Sequence, residues 1–161
     1  MDKYLIKPKT GFEQTSIALQ YYLKARGIES NIAKNDADFL FNQDKYSKVI
    51  ELGEVHCINN YLFKDFGLNR PLDTFYYGDF SLANLKWIAQ LNIHVYSKAR
   101  WPTYNFVGVV SYEELPIIAN SYKKFLSDNS WVAHSMKMCG CQVELNGSMK
   151  TIDEYAKELG L

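Results

Sequence analysis

YLIKPKTGFEQTSIALQYYLKARGIESNIA, residues 4–33, decides the fold class. YLIK (4–7) reads as a short strand. Thr10 and Glu13 stand at capping-box spacing, where a hydroxyl and a carboxylate three residues apart satisfy free N–H groups at a helix start. The apolar-periodic run that follows holds Phe12, Ile17, Ala18, Tyr21, Tyr22 and Ala25. It predicts a helix over 11–26. Lys24 and Arg26 then precede Gly27, as expected at a helix C-terminus. SNIA (30–33) reads as a second strand. A strand, a helix and a strand at this spacing form the unit that crosses over a sheet to build parallel neighbours.

Further elements extend outward from this unit. KVIEL (48–52), TFYY (74–77), IHVYS (93–97) and FVGVV (106–110) read as strands. NDADFLFNQDKY (35–46) fits either a turn or a short helix capped by Asp36. Helical spacing runs from Val55 to Phe66, from Ser81 through Ala89, and from Pro116 to about Leu126. WVAHSMKM (131–138) alternates weakly. Asn146-Gly147 is a hairpin signal between QVEL and SMKT. Thr151 and Glu154 repeat the capping box ahead of a C-terminal helix ending near Gly160. The sum is α/β: a single compact domain over residues 1–161, with a mixed sheet, flanking helices, and a C-terminal hairpin plus helix. No repeat, composition shift or linker marks a boundary.

Composition narrows the function classes. The 161 residues carry 18 basic and 18 acidic side chains, a formal net charge of zero. That argues against nucleic acid, whose non-specific binding needs a basic field. No segment approaches the roughly 18 apolar residues that span a bilayer, and MDKYLIKPK lacks the apolar core of a signal peptide. Three cysteines suit a reducing cytoplasm better than a disulfide framework.

Two of those cysteines sit in MKMCGCQVELNG (136–147). A zinc site is conceivable from His134, Cys139 and Cys141 with His56 or Cys57. However, a spacing of one residue departs from the two to four that separate structural zinc ligands. A Cys-Gly-Cys disulfide closes a small, strained ring. The plainer reading is two reduced thiols on one face of a strand leading into the hairpin. Cys57, in ELGEVHCINN (51–60), falls in the first turn of a predicted helix, where a thiol pKa is lowered. Its base would be His94 or His134. The stretch ELGEVHCINNYLFKDFGLNRPLD resembles the glycine-cysteine opening of a papain-like peptidase family. The aromatic-Asp-Trp element that follows there is absent, so no role is transferred. Neither GxGxxG nor GxxxxGK[ST] occurs. No catalytic residue, metal or cofactor is assigned.

The loop KARWPTYNF (98–106) and the cluster FYYGDF (75–80) are the interaction candidates. Arg100, Trp101, Tyr104, Tyr76 and Tyr77 are the residue types that dominate binding hot spots. In its overall length and its richness in Tyr, Phe, Asn and Lys, the chain resembles the T-even bacteriophage inhibitors of the host ATP-dependent Lon protease. The resemblance implies a non-enzymatic protein of the host cytoplasm that binds the Lon assembly and blocks degradation. It carries no residue-by-residue correspondence. A homodimer stays open, as do two alternatives: a cysteine enzyme using Cys57 with a histidine base, and a zinc-stabilised binding module.

Overall fold

A computed structural model describes residues 2–79, 81–126 and 131–161. In chain order the elements are β1 (Lys3–Lys7), α1 (Glu13–Ala25), β2 (Glu29–Ile32), α2 (Asp36–Asn42), β3 (Lys48–Glu51), β4 (Leu72–Tyr77), α3 (Leu82–Ile88), β5 (His94–Ser97), β6 (Phe106–Val109), α4 (Leu115–Ala119), β7 (Tyr122–Phe125), α5 (Trp131–Met138) and α6 (Ile152–Glu158). The architecture is α/β, built on two parallel sheets. The chain divides into two compact units: residues 2–61 with Met149–Leu161, and Leu62–Ser148. The first unit is assembled from both ends of the chain. A linker or composition shift is therefore not needed to mark the division.

In the first unit the strand order is β2-β1-β3, all parallel. The central strand β1 buries both Leu5 and Ile6 because helices cover both faces of the sheet. Ile6 packs with Leu19, Tyr22 and Leu23 of α1 and with Ile152 and Tyr155 of α6. Leu5 packs with Ala33 and with Phe39 of α2. Asn35 caps α2, its side chain accepting the Asp38 N–H at 2.7 Å, so the cap lies one residue ahead of the expected Asp36.

The predicted capping box at Thr10 does not form. The chain turns at Gly11 (φ 87°), and α1 begins at Glu13 without a side-chain cap. The Glu13 carboxylate instead accepts the Gly11 N–H at 3.0 Å. The second capping box does form, between Thr151 and Glu154. The helix predicted over 55–66 is absent. Ile58 pairs in a parallel bridge with Thr151: its N–H donates to the Lys150 carbonyl, and its carbonyl accepts the Ile152 N–H, both at 2.9 Å. Backbone groups committed to a distant partner are unavailable to a helix.

In the second unit the order is β6-β5-β4-β7, again parallel. Ser81 caps α3 as expected, accepting the Asn84 N–H at 3.1 Å. The helix predicted from Pro116 to Leu126 stops at Ala119. Asn120 closes it by donating to the Pro116 carbonyl at 2.8 Å, and the chain re-enters the sheet as β7. There Tyr122 and Phe125 are buried while Lys123 and Lys124 are exposed. WVAHSMKM is helical, not extended, and buries Ala133 and Met136 one turn apart.

The expected mixed sheet is thus wholly parallel among the described strands, and the hairpin at Asn146-Gly147 is not formed. Gln142 meets the outer edge of β7: its N–H donates to the Lys123 carbonyl (2.9 Å) and its carbonyl accepts the Phe125 N–H (3.1 Å). That parallel bridge occupies the first residue of QVEL, which then continues without a strand. Among the described residues no helix is long and apolar enough to cross a membrane.

Candidate partner-binding surface

The cysteine segment resolves into a helix ending. Gly140 donates to the Lys137 carbonyl at 2.9 Å and Cys141 to the Met136 carbonyl at 3.2 Å, while Gly140 takes φ 96°. This paired bonding around a left-handed residue closes the end of α5. The same arrangement ends α1 at Gly27, where Gly27 donates to Lys24 and Ile28 to Leu23. Arg70 secures the turn. Its guanidinium donates to the carbonyls of Ala119 (2.8 Å), Tyr122 (3.0 Å) and Cys139, and pairs with Asp65 at 3.1 Å.

All three cysteines are free and buried. Burial pushes the Cys139 thiol up to about 12 and Cys141 up to about 11, against the opposing pull of Arg70. The Cys141 thiol donates to the Ala119 carbonyl at 3.2 Å. Burial also pushes Cys57 up to about 11. With no helix at 55–66, it lacks the helix N-terminus that would lower it. A thiol of that pKa is ionised in about one molecule in ten thousand at pH 7, which opposes a nucleophilic role. Of the proposed bases, His94 has its Nδ1 at 2.6 Å from the Tyr122 hydroxyl, which meets the Tyr96 hydroxyl at 2.8 Å. Among the described residues no group of three or more His, Cys, Asp or Glu side chains is placed to hold a metal.

The interaction candidates separate sharply by burial. Trp101 is 1% exposed, Tyr76 0% and Tyr77 4%. These three present no surface to a partner, which corrects their assignment as contact residues. Trp101 packs with Tyr76 (ring centroids 5.7 Å apart), Ile88 and Val95. The connection between β5 and β6 contains no helix, so Trp101 supplies the apolar cover that a crossover helix would give this part of the sheet. Arg100 is exposed and Tyr104 is 85% exposed.

The two flanks of Tyr104 are anchored. Trp101 lies in the core on one side. On the other, the buried Asn105 amide donates to the Ile88 carbonyl at 3.3 Å and the Leu91 carbonyl at 3.4 Å. Tyr104 therefore projects from a fixed turn, the condition under which an aromatic side chain loses least entropy on binding.

No protein-family profile, curated protein or solved structure matches this chain. Just beyond Tyr104, the outer strand β6 exposes Val107 at 50% and Val109 at 57%. Sequence reasoning recognised this strand but not its exposure, because an uninterrupted apolar run reads as a strand covered on both faces. A register shift between β5 and β6 at Val95/Tyr96 sets two residues of β6 against one of β5 there, a bulge that no residue type announces. Leu40 and Phe41 of α2 are likewise exposed, at 64% and 85%. Their place in an ambiguous loop or helix left their direction undetermined.

At the start of α1 the Glu13 carboxylate, held below its usual range by the Gly11 N–H, stands where a bound anion would need to sit. It disfavours phosphate there.

Proposed function

We propose that this protein is a non-enzymatic inhibitor of bacteriophage type that acts in the host cytoplasm. It binds a host enzyme, and the ATP-dependent Lon protease is the named target. The resemblance in length and composition supplies the target. One observation supports the mode: Tyr104, 85% exposed, stands out from a turn anchored by buried Trp101 and Asn105. Arg100, Val107 and Val109 are the exposed residues that flank it along the chain. An anchored aromatic beside an arginine and apolar neighbours has the make-up of a binding hot spot.

The experiment is inhibition of purified Lon degrading an unfolded, fluorescently labelled substrate with ATP. The expected result is a stoichiometric complex, arrested proteolysis and an intact inhibitor. Tyr104→Ala weakens inhibition by at least about tenfold while leaving the fold unchanged. The absence of both complex and inhibition at micromolar concentrations would sink the assignment to Lon. Undiminished inhibition by Tyr104→Ala would sink the assignment of the surface.

A further inference from the structure

The first unit's sheet ends at β2, whose outer edge pairs with no described strand. Glu29 donates its N–H to the Asp2 carbonyl at 3.3 Å and Ala33 to the Ile6 carbonyl at 2.9 Å. Residues 29, 31 and 33 thus turn their backbone groups inward to β1. In a regular parallel ladder the intervening residues face the other way, so Ser30 and Ile32 direct N–H and C=O outward. The Ser30 carbonyl accepts the Gln20 side-chain amide at 3.3 Å, a long bond that an added strand would share or displace. Outward residues two apart repeat at about 6.6 Å, the repeat of an extended chain.

Beside this edge lies a groove of about 540 Å³ between α1 and β2, lined by Gln20, Tyr21 and Lys24 on one side and Ile28, Glu29 and Ser30 on the other. Strand alternation puts Ser30 on the same face as Ile32, which packs against the core beneath α1. A strand added outside β2 therefore sets every second side chain into this groove. Lys24 stands at the groove and makes no ion pair with any described residue.

We propose that this edge binds an extended segment of another protein by strand addition. An apolar side chain enters the groove between Tyr21 and Ile28, and a carboxylate two residues away faces Lys24. Charge selects this occupant over a second copy of the chain. In an antiparallel pairing of two β2 edges, the face that would enter the groove carries Ile28, Ser30 and Ile32, with no carboxylate for Lys24, while Glu29 lies on the opposite face. This inference does not rest on the assignment to Lon.

The test titrates the ¹⁵N-labelled full chain with the blocked peptide acetyl-Thr-Val-Thr-Glu-Thr-Val-amide, and with the same peptide carrying Lys in place of Glu. The expected result is saturable shifts of the Ser30 and Ile32 amides, with the Glu peptide binding at least several-fold more tightly. Ser30→Pro removes an outward N–H without touching the ladder to β1. It should weaken binding at least tenfold while leaving the β1 amides in place. Lys24→Glu, at an exposed helix position, should invert the preference between the two peptides. Three results would overturn the proposal: no saturable shift at millimolar peptide, undiminished binding by a folded Ser30→Pro chain, or an unchanged preference in Lys24→Glu. Concentration-dependent shifts of Ser30 and Ile32 without peptide would also overturn it, in favour of self-pairing.

Discussion

Gly140→Ala is the substitution that tests the account of the cysteine segment. Residue 140 has φ 96°, and a Cβ there would lie 2.5 Å from Arg70 Nη2 and 2.5 Å from Asp65 Oδ2. The left-handed backbone alone costs an L-residue roughly 1–2 kcal/mol. Ends of long side chains usually yield to such a clash, but this guanidinium is tied to the carbonyls of Ala119, Tyr122 and Cys139. Displacing it leaves at least one part-buried carbonyl without a donor, for a further ~1–3 kcal/mol. The expected loss is therefore about 2–5 kcal/mol, a large part of the ~5–15 kcal/mol that holds a domain folded.

All three tryptophans, at 87, 101 and 131, lie in the second unit. Their fluorescence during urea unfolding reports that unit. Gly27→Ala is the control in the first unit, followed by circular dichroism. It has the same helix-ending motif and φ 75°, with nothing within 4 Å of the added Cβ, so only the backbone cost applies. In an Arg70→Ala, Asp65→Ala background both groups that meet the added Cβ are gone, and Gly140→Ala should fall to the same ~1–2 kcal/mol. An equal loss for Gly140→Ala with and without the Arg70 and Asp65 side chains would refute the reasoning.

The thiols and the acid behaviour of the first unit give two further expectations. With burial holding all three thiols protonated near neutrality, the native chain at pH 7 should react with iodoacetamide at least about a hundredfold more slowly than free cysteine, and fully in urea. Fast modification of native Cys57 would revive the cysteine-enzyme alternative. Tyr61 donates to Asp153 at 2.6 Å and accepts from Arg26 at 3.0 Å, so Tyr61→Phe should destabilise the first unit by about 1.5–3 kcal/mol. Burial raises the Asp153 pKa, but hydrogen bonds from Tyr61 and Asn60 and the charges of Arg26 and Lys157 outweigh it and hold the group below its ordinary value. Its stabilisation is therefore complete above the unfolded pKa near ~3.9 and is lost as pH falls through the lower folded value. The Tyr61→Phe deficit should narrow between pH 7 and pH 2; a deficit constant over that range would count against the Tyr61–Asp153 bond.

The sequence by itself determined what local physics determines. Residues 4–33 specify a strand, a helix and a strand because apolar periodicity, Lys24, Arg26 and Gly27 all act within a few residues of one another. Thr151 and Glu154 announce α6 for the same reason, and Ser81 announces α3. What failed depended on distant partners. The apolar spacing of 55–66 suits a helix, but Ile58 is drawn into a bridge with Thr151. QVEL before Asn146-Gly147 suits a hairpin, but Gln142 closes the edge of β7. Cys139-Gly140-Cys141 suggested chemistry because its glycine could not be placed until α5 was known to end there. The candidate surface divided on the same principle. Residue type made Trp101, Tyr76, Tyr77, Arg100 and Tyr104 equal candidates, since an aromatic ring serves a core as well as an interface. Only tertiary structure decided that Trp101 and Tyr76 pack together in the core and that Tyr77 is buried as well, leaving Tyr104 outside, because burial is a property of the assembled fold and not of any stretch within it.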